Sequence, residues 1–303
     1  MPSLKNTKRR IVSVKNTQKI TRAMKLVSSA KFARANQNLH KAKPYGEAFM
    51  GLLHHFLATF RQEDLESLLR VSKEKKSLLV FLTTDRGLCG GLNSNLGRLC
   101  LNFLKEKKAS DISVDLVLWG KKAAQLMKNR GERVVSKELK AFERPSLVWA
   151  RERAKDIFSL FSAGEYDRVY IIFPAFKNVM AQIPVIREIL PLCSLSKDAD
   201  KGSLFLKSPG RTTDVAPPHS LSFLEPGRDE LAKQLLLDAL TSIIFRILLE
   251  SSASEHAARM SAMDSATHNA DKVIKKLTLE YNRGRQAAIT KELIEITSGA
   301  ESL

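Results

Sequence analysis

With 303 residues, 44% of them hydrophobic and 27% charged, the chain can bury a sizeable core and is not disordered by composition. Its 50 Lys and Arg against 32 Asp and Glu leave a net charge of +18, which suggests an anionic partner: nucleic acid, a lipid surface or an acidic protein face. The three cysteines, Cys89, Cys100 and Cys193, are far apart with no CxxC or Cys/His spacing, which argues against a disulfide framework and structural zinc.

The positive excess sits at the front, where residues 1–60 carry 12 basic side chains and 1 acidic one, while residues 228–303 carry 10 and 11. The basic N-terminus is followed by no apolar run, so it does not read as a signal peptide. From Ser3 to Lys43 there is neither Gly nor Pro, and good helix formers predict one long helix, with a possible kink at "KPYG" (43–46) before helical pattern resumes through "EAFMGLLHHFLATF". Ile11, Val14, Ile20, Met24 and Val27 are expected to form its inward stripe, interrupted by Gln18 and Thr21.

In the middle the period changes. "SLLVFLTTD" (77–85) reads as a strand and "SNLGRLCLNFLKEKK" as a helix; "VDLVLWG" (114–120) and "KKAAQLMKNRG" repeat the pattern. After a helix near "SLVWARERAKDIFSLF", the strands "YDRVYIIFPAF" (166–176) and "QIPVIREILPL" (182–192) suggest a hairpin at one sheet edge. Residues 194–220 read as a loop.

Asp229 to Arg283 is again free of Gly and Pro, and helical pattern continues past Gly284 to Gly299, a plausible cap. A helix above 70 residues would be on the order of 100 Å long, against about 50 Å for a compact globule of this length. It therefore needs a partner, and the N-terminal helix is the obvious one. "SSASEHAARMSAMDSATHNA" (251–270) is rich in Ser, Ala and Thr, which would let two helix backbones approach closely. No segment is apolar enough to span a bilayer as a helix; "LAKQLLLDALTSIIFRILL" is interrupted by Lys233, Asp238 and Arg246.

The fold class is thus α/β: two long terminal helices forming an antiparallel coiled coil, with an inserted Rossmann-like α/β domain. The expected divisions are residues 1–60, 61–227 and 228–303.

Catalytic patterns are missing. "DRGLCGGLNSN" follows the first strand but fits neither G-x-G-x-x-G nor a P-loop, so a tight structural turn is the favoured reading over a phosphate cradle. There is no HExxH or GxSxG, and the consecutive Ser254, Glu255 and His256 point in different directions from a helix and cannot form a triad. No catalytic residue, cofactor or metal is expected. Nucleic-acid binding by a basic coiled coil is the rival reading, weakened by charges on several faces and few interleaved aromatics.

Three stretches, "IVSVKNTQKITRAMKLVSSAKFARA", "TTDRGLCGGLNSN" and "ESSASEHAARMSAMDSATHNADKVIKKLTLEYNRGRQAAITKELIEITSGA", resemble, in family order, the gamma subunits of F-type ATP synthases. The resemblance covers essentially the whole chain. It implies a central rotor shaft inside a ring of three alpha and three beta subunits, with the α/β domain near the epsilon subunit and c-ring and no nucleic acid as partner. It further implies a bacterial inner-membrane complex, with this chain peripheral on the cytoplasmic side and non-catalytic. By motif, Met24, Lys25, Arg259, Arg285, Gln286, Thr290 and Glu295 are expected to meet the beta subunits. No regulatory dithiol segment of the chloroplast type is visible, so a bacterial member without thiol control is expected.

Overall fold

The structure, a computed structural model, describes residues 4–57, 74–128, 130–139, 145–192 and 228–301. The loop expected at 194–220 lies outside them. In chain order the elements are α1 (Leu4–Leu57), β1 (Lys76–Leu82), α2 (Leu92–Ala109), β2 (Ser113–Trp119), α3 (Lys121–Leu126), β3 (Val134–Glu138), α4 (Leu147–Ser162), β4 (Arg168–Phe176), β5 (Gln182–Leu190) and α5 (Arg228–Glu301). The two terminal helices are continuous: α1 contains Pro44 and α5 runs past Gly299 to Glu301, so neither the kink signal nor the expected cap ends a helix. The chain divides into two compact units, Met1–Lys31 with Arg259–Leu303, and Phe32–Ala258.

In the first unit α1 and α5 run antiparallel, since Lys25 pairs with Asp264 while Leu4 lies against Gly284. The inward positions of α1 are Leu4, Thr7, Ile11, Val14, Gln18, Thr21, Lys25 and Ser28, all buried or half-buried. On α5 they are Met260, Met263, Thr267, Ala270, Ile274, Leu277, Tyr281 and Gly284. Both series alternate steps of three and four, the seam geometry of a coiled coil. The expected apolar stripe needs correction here: Ile20 and Val27 are 60% and 56% exposed, and the polar residues Gln18, Thr21 and Ser28 occupy the seam instead. The 3-4 spacing decides the facing, and it overrides hydrophobicity at these positions.

The second unit holds a five-stranded sheet of order β3-β2-β1-β4-β5. All neighbours are parallel except β4 and β5, the hairpin expected at an edge. Strand β1 sits at the centre and reads as a continuous apolar run because both its faces are covered. Its side chains alternate: Leu78, Val80 and Leu82 join a cluster with α4 and the Leu236–Leu248 stretch of α5, while Leu79 and Phe81 join one with α2 and α3. Burying such a side chain is worth about 1.5–3 kcal/mol, so this double-sided core supplies most of the unit's stability. The edge strand β3 is an addition to the expected elements. Its sequence "VVSKE" alternates half-buried and exposed positions and carries too little apolar signal to stand out.

Candidate functional site

The glycine-rich turn after β1 is held by its own side chains. Leu88 and Gly90 adopt positive φ, 62° and 60°. Asn93, in the first turn of α2, donates from Nδ2 to Thr84 Oγ1 at 2.8 Å and to Cys89 Sγ at 3.2 Å; Thr84 Oγ1 can donate to the Arg86 carbonyl at 2.6 Å. These bonds tie the start of α2 back to the end of β1 and brace the turn between them. Among the described residues no group of His, Cys, Asp and Glu is placed to hold a metal ion.

The first unit carries most of the sequence-predicted residues. Met24 and Lys25 are half-buried on α1. Lys25 Nζ donates to Asp264 Oδ1 at 2.6 Å, and this hydrogen bond is the main reason the Asp264 carboxyl lies below its ordinary range, with burial opposing and the charges of Lys25 and His268 adding to it. The polar seam continues with Thr21 and Thr267, whose hydroxyls meet at 2.8 Å, and with Gln18 Nε2 donating to Asp271 Oδ1 at 2.6 Å. Arg259 is buried.

Arg285, Gln286 and Thr290 are exposed on α5. They follow Gly284, the last inward position, beyond which α1 has no residue left to pair with among those described. The Thr290 hydroxyl donates to the Gln286 carbonyl at 2.9 Å, so its proton is spent on its own helix and its oxygen remains an acceptor. Glu295 lies in the same helix; its side chain lies outside the described ones. The structure does not bring the two groups of residues together, because Lys25 and the Leu4–Gly284 contact are some 20 residues apart, about 30 Å along the coil.

The outward apolar residues of this unit are a feature that the sequence pattern did not reveal, unlike its basic surface. Val12, Ile20, Leu26 and Val27 on α1, and Leu279, Ile289, Leu293, Ile294 and Ile296 on α5, are large apolar side chains left at least half exposed. The same helix α1 also carries Lys5, Lys8, Arg9, Arg10, Lys15, Lys19 and Arg22, all exposed. An outer surface both apolar and basic fits an enclosing protein partner better than water alone. The signal that could have found it was the 3-4 spacing through Thr7, Gln18, Thr21 and Ser28.

Among the described residues no helix is long and apolar enough to cross a membrane. Residues 3–303 match the ATP synthase family. A curated relative from Geobacter metallireducens, an ATP synthase gamma chain, is 41% identical over 303 residues, covering all of this chain and 99% of the relative. The gamma chain of Ruegeria sp. (strain TM1040) is 40% identical over 307 residues, with both chains covered in full. The fold is shared with a chain of the Euglena gracilis mitochondrial ATP synthase, from a structure of OSCP, F1 and c-ring (TM-score 0.66, 19% identity, 99% of this chain and 94% of that one). A chain of the Tetrahymena thermophila central stalk and c-ring structure aligns over 82% of this chain and 99% of its own with a TM-score of 0.60 and 23% identity. A match of this length and identity, on a chain with two long terminal helices and a five-stranded sheet, shows that it belongs to the ATP synthase gamma chain family.

Proposed function

We propose that this chain is the central rotor shaft of an F-type ATP synthase, turning inside a ring of three alpha and three beta subunits and coupling proton flow to ATP synthesis. The observation that carries the reading is full-length similarity to gamma chains together with a coil whose outer face is apolar and basic. In this role the chain performs no chemistry. Its asymmetric surface favours a different conformation in each beta subunit it faces, and turning redistributes those preferences.

The basic residues of α1 suit acidic segments of the beta subunits, and exposed ion pairs at about 0–1 kcal/mol each are weak enough to break as the shaft moves. Met24, Lys25 and Arg259 would act along the coil, and Arg285, Gln286, Thr290 and Glu295 near the end of α5. The α/β body would meet the epsilon subunit and c-ring, giving a peripheral location on the cytoplasmic side of a bacterial inner membrane. The full-length relatives give no support to nucleic-acid binding as the alternative.

The test is reconstitution. Mixed with alpha and beta subunits of a close bacterial relative, the chain should form a stable complex with ATPase activity. With the membrane sector added, hydrolysis should drive proton pumping. A purified chain that assembles with neither, or that hydrolyses ATP by itself, overturns the reading.

A further inference from the structure

Within the second unit, pairing between β4 and β1 ends at Ile172, so the outer part of β4, Phe173–Phe176, has a strand neighbour on the β5 side only. A helix supplies the missing partner. Glu250 of α5, 7% exposed, accepts a hydrogen bond from the Phe176 backbone N–H at 3.0 Å through Oε1. The Phe32 ring of α1 packs on the Phe176 ring with centroids 5.5 Å apart. One residue at the end of a strand is thus held by both long helices at once.

Charged groups from each surrounding element support this contact. Arg246, one turn earlier on α5, is also buried, and Glu47 of α1 is near enough to act on its charge. Arg187 of β5 acts on Glu250, and its guanidinium lies 5.8 Å from the centre of the Phe173 ring. Burial pushes the Glu250 carboxyl above its ordinary range against the opposing effects of the Phe176 bond, Arg246 and Arg187. A carboxylate retained in so costly a place needs a reason, because apolar residues of similar volume are often no less stable in such positions.

We propose that Glu250 is a positioning residue for torque transfer, the joint at which the sheet grips the two long helices through the end of β4. This rests on the rotor reading above. A force applied to the sheet reaches the helices through apolar packing, which is non-directional and can slip, and through this bond, which is directional. The Glu250–Phe176 bond fixes the angular setting of the strand end on α5, and the ring of Phe32 fixes it on α1.

Two substitutions separate reach from charge. Glu250→Asp keeps a carboxylate beside Arg246 but is one methylene too short to hold Phe176; Glu250→Gln keeps the reach and an acceptor oxygen but not the charge. Each is assembled into the complete complex, and ATP hydrolysis and ATP-driven proton pumping are measured side by side. The Asp variant should hydrolyse ATP at the normal rate while pumping falls by about twofold or more, the loss of a buried hydrogen bond multiplying the opened population roughly tenfold. The Gln variant should pump nearly as the parent does. Normal pumping by the Asp variant, the reverse order of the two variants, or hydrolysis and pumping falling in step in both would overturn the joint. A parent complex that hydrolyses but never pumps would instead count against the rotor reading.

Discussion

The hydroxyls of Thr21 and Thr267 meet at 2.8 Å across the seam of the coil. Each hydroxyl also lies within reach of a carbonyl on its own helix, Gln18 at 3.0 Å and Met263 at 2.7 Å. Since each carries one proton, only one of them can donate across the seam while the other donates to its own helix. Removing one hydroxyl therefore leaves its partner satisfied. Thr21→Val and Thr267→Val are each expected to cost about 0.5–1.5 kcal/mol, and the double variant less than the sum of the two. Urea unfolding of the four proteins in the cycle checks this.

Gly120 is needed for the turn after β2. Its φ is +99°, and a Cβ there would lie 2.1 Å from the Thr83 carbonyl oxygen. Backbone atoms on both sides cannot yield, so Gly120→Ala should destabilise by at least about 2 kcal/mol, seen as a lowered denaturation midpoint.

Small residues on α5 should not all behave alike. Ala257 and Ala258 are buried, whereas Ala262 and Ala266 are half-buried. Ala257→Leu and Ala258→Leu should overpack by about 1–3 kcal/mol, and Ala266→Leu should cost less. Melting temperatures of the three variants give the order directly.

Acid should reach the sheet through Glu74. Burial raises its pKa, but hydrogen bonds from Lys107 and Ser77, the charge of Lys107 and a bond from Tyr170 outweigh this and leave it lowered. A carboxyl lowered in the folded state adds stability above its unfolded pKa, and that stability is lost as pH falls through the folded value. Glu74→Gln should thus be about 1–2 kcal/mol less stable than the parent near neutral pH, with the gap closing in acid. A gap that persists or widens in acid would contradict this account.

Arg285 and Gln286 are exposed, and ordinary solvated helix residues change stability on truncation by under about 0.5 kcal/mol. If they grip a beta-subunit loop, a charge-assisted bond from Arg285 contributes about 1.5–3 kcal/mol in the rotary states where it forms. The double replacement Arg285→Ala, Gln286→Ala should leave the yield of the alpha–beta complex intact and change its ATPase rate. Unchanged yield and rate would return both residues to the solvated reading.

The long helices, the βα order and the edge hairpin could all be read from the sequence, because uninterrupted helix formers and branched apolar runs are strong local signals. The strand β3 could not, since five residues of alternating burial at an edge leave little trace. At Ile20 and Val27 hydrophobicity does not mark the inside, because Gln18, Thr21 and Ser28 hold the inward positions there. Polar pairs such as Thr21–Thr267 share this seam with apolar residues such as Ile11 and Leu277, while Ile20 and Val27 face outward. Glu250 was invisible for a different reason: nothing in "ILLESSAS" shows that a strand end 74 residues earlier needs an acceptor.

The alternation of three and four from Leu4 to Ser28, and again from Met260 to Gly284, averages 3.5 residues per turn, less than the 3.6 of a straight helix, and such a repeat winds two strands left-handedly. A two-stranded rope of fixed hand does not answer equally to both senses of twist. One sense winds it tighter and presses Thr21 against Thr267 and Lys25 against Asp264; the other unwinds it and draws the same pairs apart. The polar rungs of its seam, Thr21–Thr267 and Lys25–Asp264, are thus the contacts that any winding or unwinding of the coil must work against.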